Sequence, residues 1–409
     1  MNEKSWRYIG WVQVVMAAVA MVATLPGRTF GLGLITEPML KDLQLSSDRF
    51  SSINFWATIV GAVFCFPAGY LLDRWGSRVL LSLIYVALGG VVCLLAGVHT
   101  LTSLLILVTL TRGLGQSALS VVSISMTARW FRERLTLATA IYSVVMSMGF
   151  MVAFSILAPM VSAAGWRETW SRLGIALLVM APISWLLVRH RPAAHDDAVG
   201  VAASEGLSFR DALSTPAFWI FAVATSLFGL ITTGFSLYNQ RLLGEHGFDR
   251  GVYNMLAPVG PIVGLLGQAL CAYLASFMSY QRIIAIAMTG YALGLLCFAQ
   301  VSSFPQLVAC VVFLSVSGGM ITVIFFAVWP QMFGRRHLGR IQGAAQMGTV
   351  FASAVGPMVF TKSELYFGTM TSALYMLAPT VIAMAAAAWL VPLPARSTEV
   401  LVSEAPASA

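Results

Sequence analysis

Long apolar runs recur along almost the whole chain, and short polar segments separate them. A helix that crosses the hydrocarbon core of a bilayer needs about 20 mostly apolar residues. Runs of that kind predict twelve membrane-spanning helices. The predicted spans are 9–37, 50–72, 79–98, 101–127, 137–163, 171–188, 216–240, 251–277, 283–301, 305–330, 341–361 and 371–392. The pattern therefore predicts an all-α protein embedded in the lipid bilayer.

The composition excludes a water-soluble protein. Hydrophobic residues make up 58% of the chain and charged residues only 10%, which leaves too little polar surface to cover a soluble core. With the N-terminus inside, fifteen of the 24 lysines and arginines fall in cytoplasmic segments and seven on the opposite side. The positive-inside rule then predicts that both termini are cytoplasmic. We expect the protein in the plasma (cell inner) membrane. This asymmetry accounts for the net charge of +8 without a nucleic-acid partner.

The longest polar interruption divides the predicted spans six and six. We therefore predict an N-terminal six-helix bundle at 1–188 and a cytoplasmic linker at 189–215. A C-terminal six-helix bundle at 216–392 and a disordered cytoplasmic tail at 393–409 complete the chain.

Short segments repeat between the two halves. ARWFRERL (128–135) closes span four and PQMFGRRHL (330–338) closes span ten, each with an arginine cluster. LAPMV (157–161) and VGPMV (355–359) occupy corresponding places in spans five and eleven. Two pseudo-symmetric six-helix bundles with a site between them are typical of secondary transporters.

The segment between spans two and three carries a family signature. GYLLDRWGSR (69–78) closely resembles the G-x-x-x-D-R-x-G-R-R signature of the major facilitator superfamily and departs from it at Ser77. In span four, TRGLGQSA (111–118) resembles a second signature of that superfamily. The resemblance covers the whole chain in length, span count and central linker. It implies a transporter that moves a small-molecule solute by alternating access, functional as a monomer.

The first signature also predicts a conformational gate. An acid and a base at the cytoplasmic end of span two can bond to the ends of neighbouring helices and hold one state shut. The glycines allow close helix approach and a tight turn. The predicted gating residues are Gly69, Asp73, Arg74, Gly76 and Arg78. A solvated charged loop that only anchors the topology is the alternative.

Within the superfamily, the chain is most similar to the monocarboxylate and oxalate/formate porters. The similarity lies in LGLITEPMLKDLQLS (32–46), SLYNQRLLGEHGFD (236–249) and MFGRRHLGRIQG (332–343). Members that carry carboxylates often place a basic residue in span eight, and some place another in span eleven. Here Gln268 and Gln346 stand at those places.

Arg28 is a permanent charge inside the first apolar run. At about 1.5 Å per residue from Trp11, it lies roughly 25 Å into the helix, directly after Pro26 and Gly27. A charge at such depth costs a few kcal/mol unless it faces water, protein partners or a substrate. It could reach the outer surface, be held by polar groups of its own bundle, or bind an anionic substrate, and the last is our preferred interpretation. Arg112 in span four reaches a similar depth, where a structural or gating role competes with substrate contact.

Further polar residues in the spans are candidates for the substrate cavity. The candidate substrate-binding set is Arg28, Thr29, Arg112, Tyr238, Asn239, Gln240, Gln268 and Gln346. For any single amide, a hydrogen bond between helices is the commoner fate. Charge confined to the N-terminal half and amides in the C-terminal half favour an amphiphilic anion with one charged end.

The mode of coupling stays open at this level. Every acid falls in loops, tails or span ends, Glu37 comes closest to membrane depth, and no histidine lies mid-span. A proton could enter with the anion or through Glu37, while exchange with a counter-anion and facilitated diffusion are equally consistent. No G-x-x-x-x-G-K-[ST] loop is present, so ATP does not drive the protein directly.

The remaining chemistry points to no enzyme, cofactor or metal site. The five cysteines fall in predicted spans without CxxC spacing, so neither a metal site nor a disulfide is expected. The spans offer no acid, histidine or metal cluster from which an active site could be built. A carrier of a neutral or cationic solute and a non-transporting sensor on the same fold remain alternatives.

Overall fold

The protein is built almost entirely from helices. A computed structural model describes residues 3–131, 135–189, 206–256, 259–334 and 337–392, and no β-strand forms among them. The helices are α1 Glu3–Val22, α2 Thr29–Asp42, α3 Ser47–Val63, α4 Cys65–Ala96, α5 Leu101–Thr111, α6 Ser120–Trp130, α7 Leu135–Ala164, α8 Trp166–Leu187, α9 Phe209–Ser214, α10 Pro216–Glu245, α11 Arg250–Leu256, α12 Val259–Leu274, α13 Tyr280–Ala299, α14 Phe304–Phe333, α15 Leu338–Phe367 and α16 Ser372–Leu390. A 3₁₀ turn at Leu25–Gly27 and a π-helix at Arg112–Leu119 complete the described elements.

These elements account for the twelve predicted spans. In the described part of the chain, nine helical segments are long and apolar enough to cross a membrane. One of them, Ser52–Ala96, holds the second and third spans together in 45 residues. The shorter apolar helix Val259–Leu274 supplies span eight, and Leu338–Phe367 supplies span eleven. The predicted all-α fold with twelve spans is confirmed.

Span one is broken at its middle. Helix α1 ends at Val22, and α2 begins at Thr29 after the 3₁₀ turn. Pro26 has no backbone N–H and Gly27 is a poor helix former, so the two residues interrupt the helix where they stand. Arg28 joins the pieces with extended backbone, at φ −92° and ψ 151°. The break leaves backbone carbonyl groups inside the membrane that need donors from elsewhere.

Spans two and three are joined by a kink. The sequence predicted a loop over 73–78, whereas helical structure continues from Cys65 to Ala96 and is interrupted only at Gly76. Gly76 has φ 77° and ψ 171°, a conformation that residues with a Cβ rarely adopt. One glycine therefore turns the chain, and the signature residues around it stay on helices.

Buried apolar side chains form two cores. One draws on α1 to α8 and includes Phe326 and Val350 from the C-terminal half. The other draws on α9 to α16 and includes Ala128 and Leu135 from the N-terminal half. The predicted tail at 393–409 and most of the predicted linker lie outside the described residues, so the domain boundaries stay a prediction.

In each half, a carboxylate links the first membrane span to the last one. At the end of α2, Asp42 accepts hydrogen bonds from Trp166 Nε1 at 3.1 Å and Arg167 Nε at 2.8 Å. At the end of α10, Glu245 accepts from the backbone N–H groups of Met370 at 2.7 Å and Thr371 at 2.9 Å, beside the start of α16. The same device at corresponding places agrees with the internal repeat.

The expectation of no disulfide was wrong. Cys297 on α13 and Cys310 on α14 are paired as a disulfide, with their Cα atoms 5.7 Å apart. They are 13 residues apart in sequence, and the turn between two antiparallel helices brings them together. Because the two cysteines lie on different helices, their spacing in the sequence does not predict that they meet.

Truncating Glu245 should lower the stability of the C-terminal half. Glu245→Ala leaves the N–H groups of Met370 and Thr371 without their acceptor, which typically costs about 1 kcal/mol. We expect the melting temperature of the purified protein to fall by roughly 2–4 °C. Glu168→Ala is the matched control, because Glu168 forms only an exposed pair with Arg172. Equal melting temperatures for the two variants would contradict this role.

Candidate functional site

Two irregular helix segments pack against each other in the N-terminal half. The 3₁₀ turn of span one meets the π-helix of span four at Gly27. A Cβ at Gly27 would collide with backbone atoms of Thr111 and Gln116, so only glycine permits this approach. π-Helical segments are frequent at functional sites. Each irregular segment carries or adjoins one of the two deep arginines.

Arg112 holds the broken backbone of span one. Its side chain is only 1% exposed. Its Nη1 donates to the Gly27 carbonyl oxygen at 3.0 Å, to Thr29 Oγ1 at 3.1 Å and to Gln116 Oε1 at 2.7 Å. Its Nη2 donates to Asn54 Oδ1. The guanidinium thus supplies the donor that the interrupted helix needs.

Arg28 is held from the other side of the break. Its Nε donates to Thr24 Oγ1 at 2.9 Å, and its Nη2 donates to Ser120 Oγ at 3.0 Å and approaches Met21 Sδ at 2.9 Å. Its Nη1 donates to no acceptor among the described residues, and the side chain is only half-buried. Arg28 therefore presents one nitrogen that is not engaged by the described protein.

Among the described residues, every hydrogen-bond partner of the two guanidiniums is neutral. No carboxylate that the structure describes lies within 4.0 Å of either one. The described acids bond elsewhere: Glu37 to Lys41, Asp42 to Arg167, Asp73 to Arg129, Glu168 to Arg172, Asp211 to Ser208, Glu245 to Thr371, Asp249 to Val252 and Glu364 to Arg241. The region is positively charged, and the two arginines repel each other.

An aromatic cluster forms two residues after Arg28 in the chain. Phe30 is 46% exposed, and its ring meets those of Phe150 at 5.4 Å and Phe154 at 5.7 Å. Because Phe150 and Phe154 are one turn apart on α7, they present one apolar face to Phe30. A cation and an accessible aromatic surface therefore stand two residues apart in the chain.

Asp73, at the end of span two, joins the two halves of the molecule. Its side chain is 8% exposed and pairs with Arg129 Nη2 at 2.8 Å. It also accepts from the backbone N–H groups of Gly339 at 2.9 Å and Arg340 at 3.1 Å, in the first turn of α15. A carboxylate at a helix N-terminus satisfies free N–H groups and complements the helix dipole. Asp73 thus caps a helix of the C-terminal half.

Close helix contact surrounds the Asp73 cap. A Cβ at Gly69 would collide with the Gly339 carbonyl group, so glycine lets α4 and α15 touch through their backbones. The Arg340 guanidinium lies over the Tyr70 ring, with Cζ 4.7 Å from the ring centre. The two halves are closed against each other at this end.

Comparison with known proteins decides the family. The model of the Major Facilitator Superfamily matches residues 16–276 and 240–408 of the chain. The protein belongs to the Major Facilitator Superfamily. The two-bundle fold that the signature implied is thereby confirmed, and transport is the function of this superfamily.

Several known proteins are similar to this transporter over most of its length. An uncharacterized 38 kDa protein in the 23S RNA operon of Thermoproteus tenax is 24% identical over 370 residues, or 89% of this chain and 88% of its own. The lysosomal dipeptide transporter MFSD1 of Pongo abelii is 22% identical over 375 residues, or 80% of this chain and 75% of its own. The crystal structure of the human organic anion transporter MFSD10 (TETRAN) matches with a TM-score of 0.70 at 13% identity, over 95% of this chain and 100% of its own. At this identity the structural match shows the fold alone.

The predicted substrate residues of the transporter fall in separate places. Arg28, Thr29 and Arg112 lie in one network. In the C-terminal half, Gln268 Nε2 donates to Ser147 Oγ of α7 at 3.3 Å, which links the halves. Gln346 is 5% exposed, and its Oε1 has no partner among the described residues.

The three polar residues of span seven lie in another part of the transporter. Tyr238 packs against the C-terminal core near the pair formed by Arg241 and Glu364. Asn239 is half-buried, and Gln240 is exposed. No hydrogen bond in the described structure joins these three side chains to Arg28 or Arg112.

The signature arginines differ from Asp73 in their contacts. Arg74 is exposed, and no described residue is bonded to it. Arg78 donates to the Trp185 carbonyl oxygen at 2.6 Å and stacks on the Trp185 ring, so it ties α4 to α8 within one half. Arg129 and the start of α15, which the sequence analysis did not assign to the gate, make the contacts with Asp73.

The sequence analysis also missed the neutral partners of the arginines. Thr24 in span one, Asn54 in span two, and Gln116 and Ser120 in span four each accept from a guanidinium. Thr24 and Gln116 did carry a sequence signal, because each lies four residues from the arginine that it binds. Asn54 and Ser120 carried none beyond a polar side chain within an apolar span.

Loss of the Asp73 charge should open the end that this residue closes. Asp73→Asn removes the ion pair with Arg129 and one acceptor for the α15 N-terminus, which favours separation of the halves. Cys65, which is 0% exposed and contacts Gly343 of α15 through its backbone, reports that separation. We expect its labelling by a small thiol reagent, followed by mass spectrometry, to become several-fold faster.

The half-buried Cys93 is the internal reference, and Asp42→Asn, at the other end of the N-terminal half, is the matched control. Unchanged Cys65 labelling in Asp73→Asn would refute the gating role.

Proposed function

We propose that this transporter moves a small, monocarboxylate-like organic anion by alternating access, and that Arg28 binds its charged end. The single observation behind this proposal is the unengaged Nη1 of Arg28, on a half-buried charge that no described carboxylate neutralises. A charged residue at membrane depth marks a functional site by default. A guanidinium matches a carboxylate in shape and charge.

Arg112 has a different role in the proposal. Both of its terminal nitrogens already donate to neutral acceptors, and its Nε is buried without a partner. It is a positioning residue, because its bonds to the Gly27 carbonyl oxygen and the Thr29 hydroxyl hold the residues on either side of Arg28. A snorkelling role for Arg28 fits poorly, since Thr24, Met21 and Ser120 hold its guanidinium within the N-terminal half.

The surroundings favour an anion with an apolar body. Phe30, two residues from Arg28 in the chain, has an exposed ring, while Gln268 and Gln346 offer amides in the C-terminal half. MFSD10 is named an organic anion transporter, and the dipeptides named for MFSD1 end in a carboxylate. Both names accord with an anionic substrate group. Tyr238, Asn239 and Gln240 stay candidates for a later stage of transport.

In this proposal the Asp73 cap closes one end of the pathway in the state described. Gly69 and Gly76 shape that closure, and Arg74 and Arg78 flank it. A cap made of one carboxylate and two N–H groups can be released and remade without large rearrangement of either half. We place this end, both termini and the linker in the cytoplasm, the protein in the inner membrane, and the functional unit as a monomer.

Neutralising Arg28 should abolish anion binding. A ligand that binds the native state raises the melting temperature. We expect pyruvate, lactate or a related monocarboxylate to stabilise the purified protein, and Arg28→Gln to lose at least about tenfold in affinity. Arg172→Gln is the control, since Arg172 forms an exposed pair with Glu168.

Stabilisation by anions that persists in Arg28→Gln would remove Arg28 from the site. Stabilisation only by neutral or cationic solutes would favour the alternative class of carrier.

Phe30 should set the preference for the substrate's body. Phe30→Ala removes the exposed ring and leaves the charge in place. We expect its affinity for phenylpyruvate to fall about tenfold, the usual order for burying an apolar group of that size, and its affinity for pyruvate to change little. The rise in melting temperature with increasing concentration of each 2-oxo acid measures the two affinities. Equal losses for the two acids would show that Phe30 only supports the fold.

A further inference from the structure

A groove opens on the outer surface of the C-terminal half, between spans nine and twelve. Its volume is about 510 Å³. Two small residues form its floor, Ala285 of α13 and Ala385 of α16, and each is only 4% exposed. Larger apolar side chains form its walls, and they are Ile286 at 41% exposure, Leu293 at 54%, Ile382 at 43% and Trp389 at 51%. The groove is therefore open to its surroundings, which in a membrane are lipid.

The groove has the length of an acyl chain in one leaflet. Along α13 it runs from Ala285 to Leu293, which is about 12 Å at 1.5 Å per residue. One leaflet contributes about 15 Å to the hydrocarbon core. Trp389 lies at the end of span twelve, where tryptophan typically marks the membrane–water interface. The groove therefore extends from that interface toward the middle of the membrane.

The lining of the groove suits an apolar ligand. Among the described lining residues, only Thr289 has a hydroxyl group, and it donates to the Ala285 carbonyl oxygen at 2.8 Å. A hydroxyl that is already bonded within its own helix requires no partner from a ligand. A hydrocarbon chain can thus fill the groove without leaving a polar group unsatisfied.

A cation stands at the end of the groove that the topology places in the cytoplasm. Arg282 is exposed and lies one turn before Ile286, on the same face of α13. No described acid pairs with it. Glu364 is the only acid in the sequence from residue 250 to residue 398, and it pairs with Arg241 near the far end of α15. The described neighbours of Arg282 therefore leave its charge uncompensated.

The start of α13 adds positive potential at the same point. Its first turn contains no acid, and Ser279 at the N-cap makes no side-chain hydrogen bond to the helix. A helix N-terminus carries a partial positive charge and favours a phosphate group. Arg282 and this helix start thus favour one negatively charged group beside the open end of an apolar groove.

We propose that the groove binds an anionic phospholipid of the cytoplasmic leaflet, with one acyl chain between spans nine and twelve and the phosphate group beside Arg282. Basic pockets between spans on the cytoplasmic side are typical sites for anionic lipid headgroups. The site is separate from Arg28 and does not depend on which solute is transported. The leaflet follows from the predicted topology, whereas the groove and the cation share one end of the helices in either orientation.

Lipid binding to the purified, delipidated protein in detergent tests the role of the charge. Native mass spectrometry counts the bound molecules of palmitoyl-oleoyl phosphatidylglycerol and phosphatidylcholine, which share their acyl chains and differ in charge. We expect the wild-type protein to prefer phosphatidylglycerol about fivefold, and Arg282→Gln to lose that preference. Arg210→Gln, which removes an exposed arginine of α9, is the matched control and should keep it.

A second pair of variants tests the groove itself. Ala386→Phe places a ring in the groove from an exposed position, and Ala383→Phe places the same ring on the exposed surface of α16 outside the lining. We expect Ala386→Phe to lower the binding of both lipids several-fold and Ala383→Phe to leave it unchanged. Equal melting temperatures of all variants in lipid-free detergent confirm that they fold.

Photo-cross-linking locates the bound lipid. A phosphatidylglycerol with a diazirine on its acyl chain, mapped by peptide mass spectrometry, should label residues 285–293 or 382–389. Equal binding of the two lipids by the wild-type protein, a preference that Arg282→Gln retains, or labelling confined to other spans would overturn the proposal. A dimer that Ala386→Phe dissociates, with no lipid in the groove, would instead assign the groove to a second copy of the chain. Each of these outcomes leaves anion binding at Arg28 unaffected.

Discussion

The pairing of Arg112 with the broken backbone of span one is the interaction on which the site depends. A helix interrupted inside a membrane has carbonyl groups that neither water nor lipid can satisfy. A guanidinium at the same depth has donors with the same problem. The bond from Arg112 to Gly27 gives the free carbonyl group a donor and the guanidinium an acceptor. The close contact between the 3₁₀ turn and the π-helix at Gly27 makes this bond possible. With the break fixed in this way, the Arg28 guanidinium is held by hydrogen bonds to Thr24 and Ser120.

The two ends of the N-terminal half use charge in opposite ways. At the Asp73 end, a carboxylate is fully engaged by Arg129 and by the N–H groups of α15, so the halves are held together by complementary charge. At the Arg28 end, charge is left without a described counterpart. The paired charge of Asp73 suits a contact that closes the pathway, whereas the unpaired charge of Arg28 suits a site that binds a ligand. Both follow from how many partners the fold supplies to each charge.

Sequence reasoning succeeded where one residue type has one physical role. Apolar run length predicted the spans, because a bilayer accepts little else. Pro26 and Gly27 predicted the helix break, and Gly76 predicted the tight turn. It failed where the answer depended on how separate helices meet. The Cys297–Cys310 pair, the partnership of Asp73 with Arg129 rather than with Arg74, and the isolation of Tyr238 from the arginines all depend on distances between helices.

The sequence by itself determined that this is a twelve-span membrane protein of the Major Facilitator Superfamily with a permanent charge at Arg28, because hydrophobicity, helix breaking and permanent charge are properties of single residues and short runs. Only the tertiary structure decided which groups surround that charge. Thr24 and Gln116 stand four residues from Arg28 and Arg112 along the chain, whereas Asn54 and Ser120 reach the guanidiniums only through helix packing that their spacing does not reveal. Helix packing decides which groups lie next to a charge. Whether those groups neutralise the charge decides whether it stabilises the fold or is left to bind a ligand.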